Sequence, residues 1–157
     1  MVGGEQTTEA SNMELHAFKL SLTEQDLNEL LRKYVPKSVD VQDLRVKFAD
    51  QCIHVTGVYP FFIPVRFETI WEVGVDNGHA SARLASFKAM GMPGNIFKSS
   101  VVKIVEDIAK QEAWIRIVGD RFLADLELGC SKYAVLAHLH LKSIIVRPGT
   151  LLLEAGH

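Results

Sequence analysis

The sequence predicts an α+β fold: a long curved antiparallel β-sheet wrapped around two amphipathic helices. Three observations carry this. Residues 61–71, FFIPVRFETIW, read at strand period place Phe61, Ile63, Val65, Phe67, Thr69 and Trp71 on one side and Arg66 and Glu68 on the other. At about 3.3 Å per residue such a strand runs roughly 35 Å, longer than a usual globular strand, so its apolar face needs a long cover. Two helical segments supply candidates for that cover, and the strands between them are joined by short turn signals that favour antiparallel pairing over alternating βαβ units.

The 157 residues fit one domain, and 48% apolar residues supply a full core. Residues 1–13, rich in Gly, Thr, Glu and Ser, show no periodicity and read as a mobile tail, with a single domain over 14–157. Residues 14–20 alternate as a short strand. SLTEQDLNELLRKY then opens with Ser21 and Glu24 at capping-box spacing and sets Leu27, Leu30, Leu31 and Tyr34 on one helical stripe that ends before Pro36. From Val39 the period changes to two: Val39 and Val41, then Leu44, Val46 and Phe48 after a register break near Asp43, a turn at 49–51, and Ile53, Val55 and Gly57 on the next strand. Tyr59-Pro60 interrupts the chain before the long strand, and Pro64 within it implies an edge position or a bulge. Asn77-Gly78 is the strongest hairpin signal, because both residues accept the positive φ of a type I′ turn; HASARLASFKAM returns as the partner strand.

Gly91, Pro93, Gly94 and Asn95 break the chain before a second helix of about sixteen residues, some 24 Å long, with Ile96, Phe97, Val101, Ile104, Val105 and Ile108 on one face. Trp114, Arg116 and Val118, then Gly119-Asp120, then Phe122, Ala124, Leu126 and Leu128 outline another hairpin. Residues 129–137 fit a short helix or a loop. Residues 138–146 and 150–154, joined by Arg147-Pro148-Gly149, form the last hairpin.

Composition excludes several function classes. Seventeen basic and nineteen acidic residues give a net charge of −2 with no basic block, against nucleic acid as a partner. Cys52 and Cys130 stand alone, without metal or redox spacing. The N-terminus lacks an apolar signal core, and no apolar run approaches a membrane span, so a soluble cytoplasmic protein is expected, with peripheral membrane contact still open to it.

Candidate chemistry is sparse. His138-x-His140 shares a strand face, but a metal would need a third ligand, with His54 or His79 the nearest candidates. Asp125 and Glu127, and Glu106 with Asp107, are paired carboxylates that require a shielded cleft to work as acid and base. Ser99, Ser100 and Ser131 lack a nucleophile-elbow pattern, and Gly91-x-x-Gly94 lacks the lysine of a phosphate loop. The expectation is a protein with no catalytic residue, cofactor or metal.

The apolar pattern points instead to a groove for a lipid or another long apolar small molecule. Phe61, Ile63, Val65, Phe67 and Trp71 would form the sheet wall, Ile96, Phe97, Val101 and Ile104 the helix wall, and the flexible Met90 and Met92 the opening. The same periodicity also fits an interaction or scaffold module with a filled core, acting through a sheet edge or as a homodimer.

The order of LTEQDLNELLRKY, VDVQDLRVKFADQCIHVTGVY, FFIPVRFETIWEV, DNGHASARLASFKAMGMPGNIF and LKSIIVRPGTLLLEAG resembles the LmeA-like phospholipid-binding family, single-module relatives of the tubular lipid-binding (TULIP-like) superfamily. The resemblance spans most of residues 20–156 as a pattern of elements rather than a sharp motif. It implies a long antiparallel sheet curled around helices, with an apolar groove for acyl chains. Members of that family are generally exported or membrane-associated, whereas this chain shows no visible export signal.

Overall fold

The computed structural model describes residues 14–34, 41–60, 62–90, 94–131, 136–137 and 140–156. Along the chain run β1 (Glu14–Leu15), β2 (Phe18–Thr23), α1 (Glu24–Tyr34), β3 (Gln42–Ala49), β4 (Cys52–Pro60), β5 (Pro64–Asp76) and β6 (His79–Ala89). After them come α2 (Gly94–Lys110), β7 (Ile115–Val118), β8 (Arg121–Ala124), α3 (Leu126–Ser131), β9 (Leu136–Ala137), β10 (His140–Arg147) and β11 (Thr150–Gly156). The expected tail, residues 1–13, lies outside the described residues. No helix among the described residues is long and apolar enough to cross a membrane.

The class is α+β and predominantly antiparallel, but the expected single curved sheet is replaced by three sheets. A six-stranded sheet has the order β3-β4-β5-β6-β8-β7, a three-stranded sheet the order β10-β11-β2, and β1 pairs with β9 in parallel. The large sheet is open, with β3 and β7 as its edges, and is not strongly curled. The two larger sheets are bonded to each other at the β3–β4 turn. Gln51, held at φ 53°, donates its backbone N–H to the Val146 carbonyl at 3.0 Å, while its side chain accepts from Val146 N at 2.9 Å and donates to the Ile144 carbonyl at 3.1 Å. Its carbonyl accepts from Val73 N at 3.4 Å. One turn residue thus joins β10 to the end of the large sheet where a continuous ladder would otherwise have to run.

The long strand is present but displaced. β5 begins at Pro64 rather than Phe61, extends for 13 residues and lies between β4 and β6, so Pro64 does not mark an edge. It stands at the first position opposite Pro60, where a missing N–H interrupts no interior rung. Val65, Phe67 and Thr69 are buried on one face while Arg66 and Glu68 are exposed on the other. Phe67 stacks on Phe87, centroids 6.3 Å apart and planes 9° apart, and lies over Gly57, where a Cβ would come within 2.7 Å of its ring. Asn77 and Gly78, at φ 49° and 79°, form the β5–β6 reversal as their sequence requires. The register break near Asp43 is a bulge, with Asp43 at φ 52°.

Helix α1 is capped two residues later than its sequence suggests. Ser21 stays in β2, paired with Leu152, and Thr23 takes the cap: its Oγ1 accepts from Asp26 N at 3.2 Å while Thr23 N donates to Asp26 Oδ2 at 2.8 Å. Glu24 is thereby released for another task. It accepts from Phe48 N at 2.9 Å, and Asn28 bonds both the N–H (2.7 Å) and the carbonyl (3.2 Å) of Val46, so α1 side chains satisfy the outer edge of β3. Hydrogen bonds from the backbone N–H and hydroxyl of Thr23 hold the exposed Asp26 carboxyl below its ordinary range. A carboxyl depressed in the folded state stabilises the fold above its unfolded value and loses that contribution as pH falls through its folded one. The α1 helix should therefore weaken only below about pH 4. Thr23→Ala is expected to cost about 1 kcal/mol in urea melts at neutral pH, and Asp26→Asn to flatten the acid limb of the stability profile.

The hairpin expected to continue through Leu126 and Leu128 stops at Ala124. Asp125 ends it: its carboxylate accepts from Leu128 N at 3.1 Å and its carbonyl from Gly129 N at 2.9 Å, which starts α3. The core is built by Val46 and Phe48 of β3 against Leu141, Ile144, Val146, Leu151 and Ala155 of the small sheet, with Leu22, Leu27 and Leu31 packed on it.

Candidate functional site: an apolar groove between two sheets

Where the two sheets diverge from this core they leave a groove of about 530 Å³. Its floor is one face of the large sheet: Ile53 and Val55 of β4, Trp71 and Val73 of β5, Ala80 and Ala82 of β6, Phe122 and Ala124 of β8, and Ile115 of β7. The alternation of these strands brings them to one side, and small alanines on β6 keep the centre deep. The facing wall comes from Leu22, Leu151, Leu153 and Ile144 of the small sheet and Leu27 and Leu31 of α1. Val105 and Ala109 of α2 and the ring of Trp114 complete the lining.

Among the described residues, the lining carries no charge and Ser81 has its only hydroxyl. The two indole N–H groups are used by neighbours. Trp71 Nε1 donates to Thr69 Oγ1 at 2.9 Å, and that hydroxyl, 1% exposed, donates to the Val55 carbonyl at 3.0 Å. Trp114 Nε1 donates to Glu112 Oε2 at 3.0 Å. Trp71 meets Phe122 edge-on, 5.7 Å between centroids and 65° between planes, an arrangement aromatic pairs favour. With these donors satisfied from behind, the described wall turns apolar surface toward the groove.

A smaller pocket of about 240 Å³ lies by the opposite face of β6, β8 and β7, lined by His79, Ala113, Trp114, Arg116, Leu123, Asp125 and Leu128. There His79 Nε2 stands 3.5 Å from Asp125 Oδ2. His54 Nδ1 is 3.6 Å from Glu68 Oε1, so both histidines proposed to complete a metal set face single carboxylates instead. His140 abuts Gly78, and His138 lies outside the described residues. Among the described residues, no three His, Cys, Asp or Glu side chains are grouped to hold a metal. The alternation that would set Asp125 and Glu127 on one strand face as a carboxylate pair is broken, because α3 begins between them at Leu126.

Searches of protein-family models, curated proteins and solved structures found no match to this chain.

Of the eleven residues expected to bind a ligand, Trp71 lines the groove. Val65 and Phe67 occupy the same sheet face but lie farther along β5, where they are buried at 2% and 4% exposure. Ile104 is half-buried on α2 and precedes the lining residue Val105. Ile96, Phe97 and Val101 fall within α2, though their side chains are outside the description, as are Phe61 and Met92 entirely. Ile63 and Met90 are exposed at the far end of the sheet, because β5 starts one residue after the first and β6 stops one residue before the second. The lining from α1, β4 and the small sheet was missed as a site. Each of those residues shows its apolar periodicity in the sequence, but nothing there tells which faces will meet.

Proposed function

We propose that this chain is a non-enzymatic binding domain for a lipid or another long apolar ligand, with an acyl chain lying in the groove between the two sheets. The observation that carries this reading is the groove itself, 530 Å³ of space walled almost wholly by aliphatic and aromatic side chains. A methylene group takes nearly the volume of a water molecule in the liquid, about 30 Å³, so the space suits roughly 16 to 18 of them. Each methylene transferred from water contributes about 0.8 kcal/mol, enough in sum to offset the ordering of the chain.

In this reading α1 and α2 are the two covers of the sheet, contributing Leu27 and Leu31 from one side and Val105 and Ala109 from the other. The resemblance to the LmeA-like phospholipid-binding family points to the same class of ligand. The alternative, an interaction or scaffold module with a filled core, is disfavoured by so large an apolar groove.

Native mass spectrometry of the purified chain, followed by extraction into organic solvent, tests the proposal. The expected result is a bound acyl lipid at one per chain, or uptake of palmitic acid by lipid-free protein with a higher melting temperature; saturation at a hundred times Kd stabilises by about 2.7 kcal/mol. A clean apo mass together with no uptake of palmitic acid would overturn it.

A further inference from the structure

The end of the large sheet remote from the Asn77-Gly78 turn holds three large apolar side chains in water. Phe62 is 93% exposed, Met90 72% and Ile63 65%. Strand pairing puts all three at this end. Pro60 opposes Pro64 across the β4–β5 reversal, and Met90 N donates to the Arg66 carbonyl at 2.9 Å, which sets the end of β6 beside the start of β5. Single apolar residues are ordinary on a surface, but a cluster at one chain reversal marks a contact site.

The charge around this cluster identifies what it contacts. Arg66 lies just inside β5, Lys88 just inside the end of β6, and Lys98 in the early turns of α2; all three are exposed. None has an ion-pair partner within 4.0 Å among the described residues. Toward the other end of the sheet Arg83 pairs with Glu72 and Asp120 and Arg121 with Asp76, while Arg116 of β7 stands without an ion-pair partner among the described residues. Glu68 opposes Lys88 on the ladder and lies 3.6 Å from His54, and Asp43 lies two strands away in the β3 bulge. A chain of net charge −2 thus sets three exposed cations, with Glu68 between two of them, at the end where its apolar side chains are most exposed.

We propose that this end of the large sheet docks on anionic lipid bilayers, with Phe62, Ile63 and Met90 entering the headgroup region and Arg66, Lys88 and Lys98 facing the lipid phosphates. Apolar side chains rimmed by cations match the two components of such an interface, a hydrocarbon boundary beneath a negative surface. Helix α2 starts beside this end and carries Val105 and Ala109 in the groove lining, so a docked molecule would hold its groove about one helix length from the membrane.

The docking goes beyond the groove reading and stands without it, since the two are measured separately. Sedimentation of the full chain with phosphatidylcholine–phosphatidylserine vesicles should show binding that weakens with salt and is much weaker on pure phosphatidylcholine. The double change Phe62→Ser with Ile63→Ser should reduce binding about ten-fold or more, and Lys88→Gln or Lys98→Gln about five-fold each, while palmitic acid uptake measured without vesicles stays at the parent level. Met90→Gln, at an exposed position, gives an independent reading should the double change disturb folding. Failure of the parent chain to bind the mixed vesicles would overturn the proposal. So would equal binding by the parent, the double variant and Met90→Gln, or a dimer in gel filtration that the double change dissociates with no vesicle binding.

Discussion

Ala82→Trp is expected to weaken palmitic acid uptake about 100-fold while leaving the ligand-free protein at least as stable as the parent. Ala82 lies on β6 between Val73 and Phe122 and lines the groove floor. A large ring built from that Cβ enters space that an acyl chain would use. Excluding about four methylenes at roughly 0.8 kcal/mol each removes some 3 kcal/mol of binding, a little over two decades in Kd. The added ring meets apolar walls without having to displace packed atoms, so the overpacking cost of a filled core does not apply. Lys47→Trp, exposed on the opposite face of the same sheet, should leave uptake unchanged. Isothermal titration and thermal melts of the two variants decide the matter. Unimpaired uptake by Ala82→Trp would remove the groove from consideration.

The second large effect belongs to Gln51. Gln51→Ala deletes the acceptor for Val146 N and the donor to the Ile144 carbonyl, leaving polar backbone groups of β10 unpartnered beside a residue 1% exposed. The expected cost is about 3 kcal/mol, or roughly 6–12 °C in melting temperature for a chain of this size. Gln51→Glu retains the acceptor but turns a carboxylate oxygen toward the Ile144 carbonyl, so at neutral pH it should be destabilised as well. Urea unfolding of both variants checks this. A loss below about 0.5 kcal/mol for Gln51→Ala, the size of an ordinary surface change, would show that the joint between sheets is held by packing alone.

Local signals in the sequence were dependable where one interaction decides the outcome. Asn77-Gly78 specified its hairpin because few residue pairs tolerate two positive φ angles, and the stripe of α1 was read in part: Leu27 and Leu31 pack on the core, whereas Leu30 is exposed. Competition between neighbours was harder to foresee. Ser21 and Thr23 both offer a capping hydroxyl, and pairing of Ser21 with Leu152, more than a hundred residues away, leaves the role to Thr23. Leu126 and Leu128 alternate like a strand, yet the short-range bonds of Asp125 win and make a helix. The apolar face of β5 was legible, but which part of it would border a groove was not. That depends on where the small sheet docks, and the docking is set by contacts such as Gln51 with Val146 that carry no local pattern.

The side chains of Glu24 and Asn28 have a consequence for assembly. By occupying the N–H of Phe48 and both the N–H and the carbonyl of Val46, they deny a second molecule the template that an outer strand offers. A head-to-tail stack, in which β7 of one copy extends the large sheet of the next at β3, therefore has no place to begin. Extension of the large sheet is left to the four-residue β7, which among the described residues pairs only with β8. Two copies joined there back to back, strand against identical strand, would close about a two-fold axis and stop. The helix that covers β3 thereby works against growth of the large sheet into a fibre, limiting edge addition there to a finite pair.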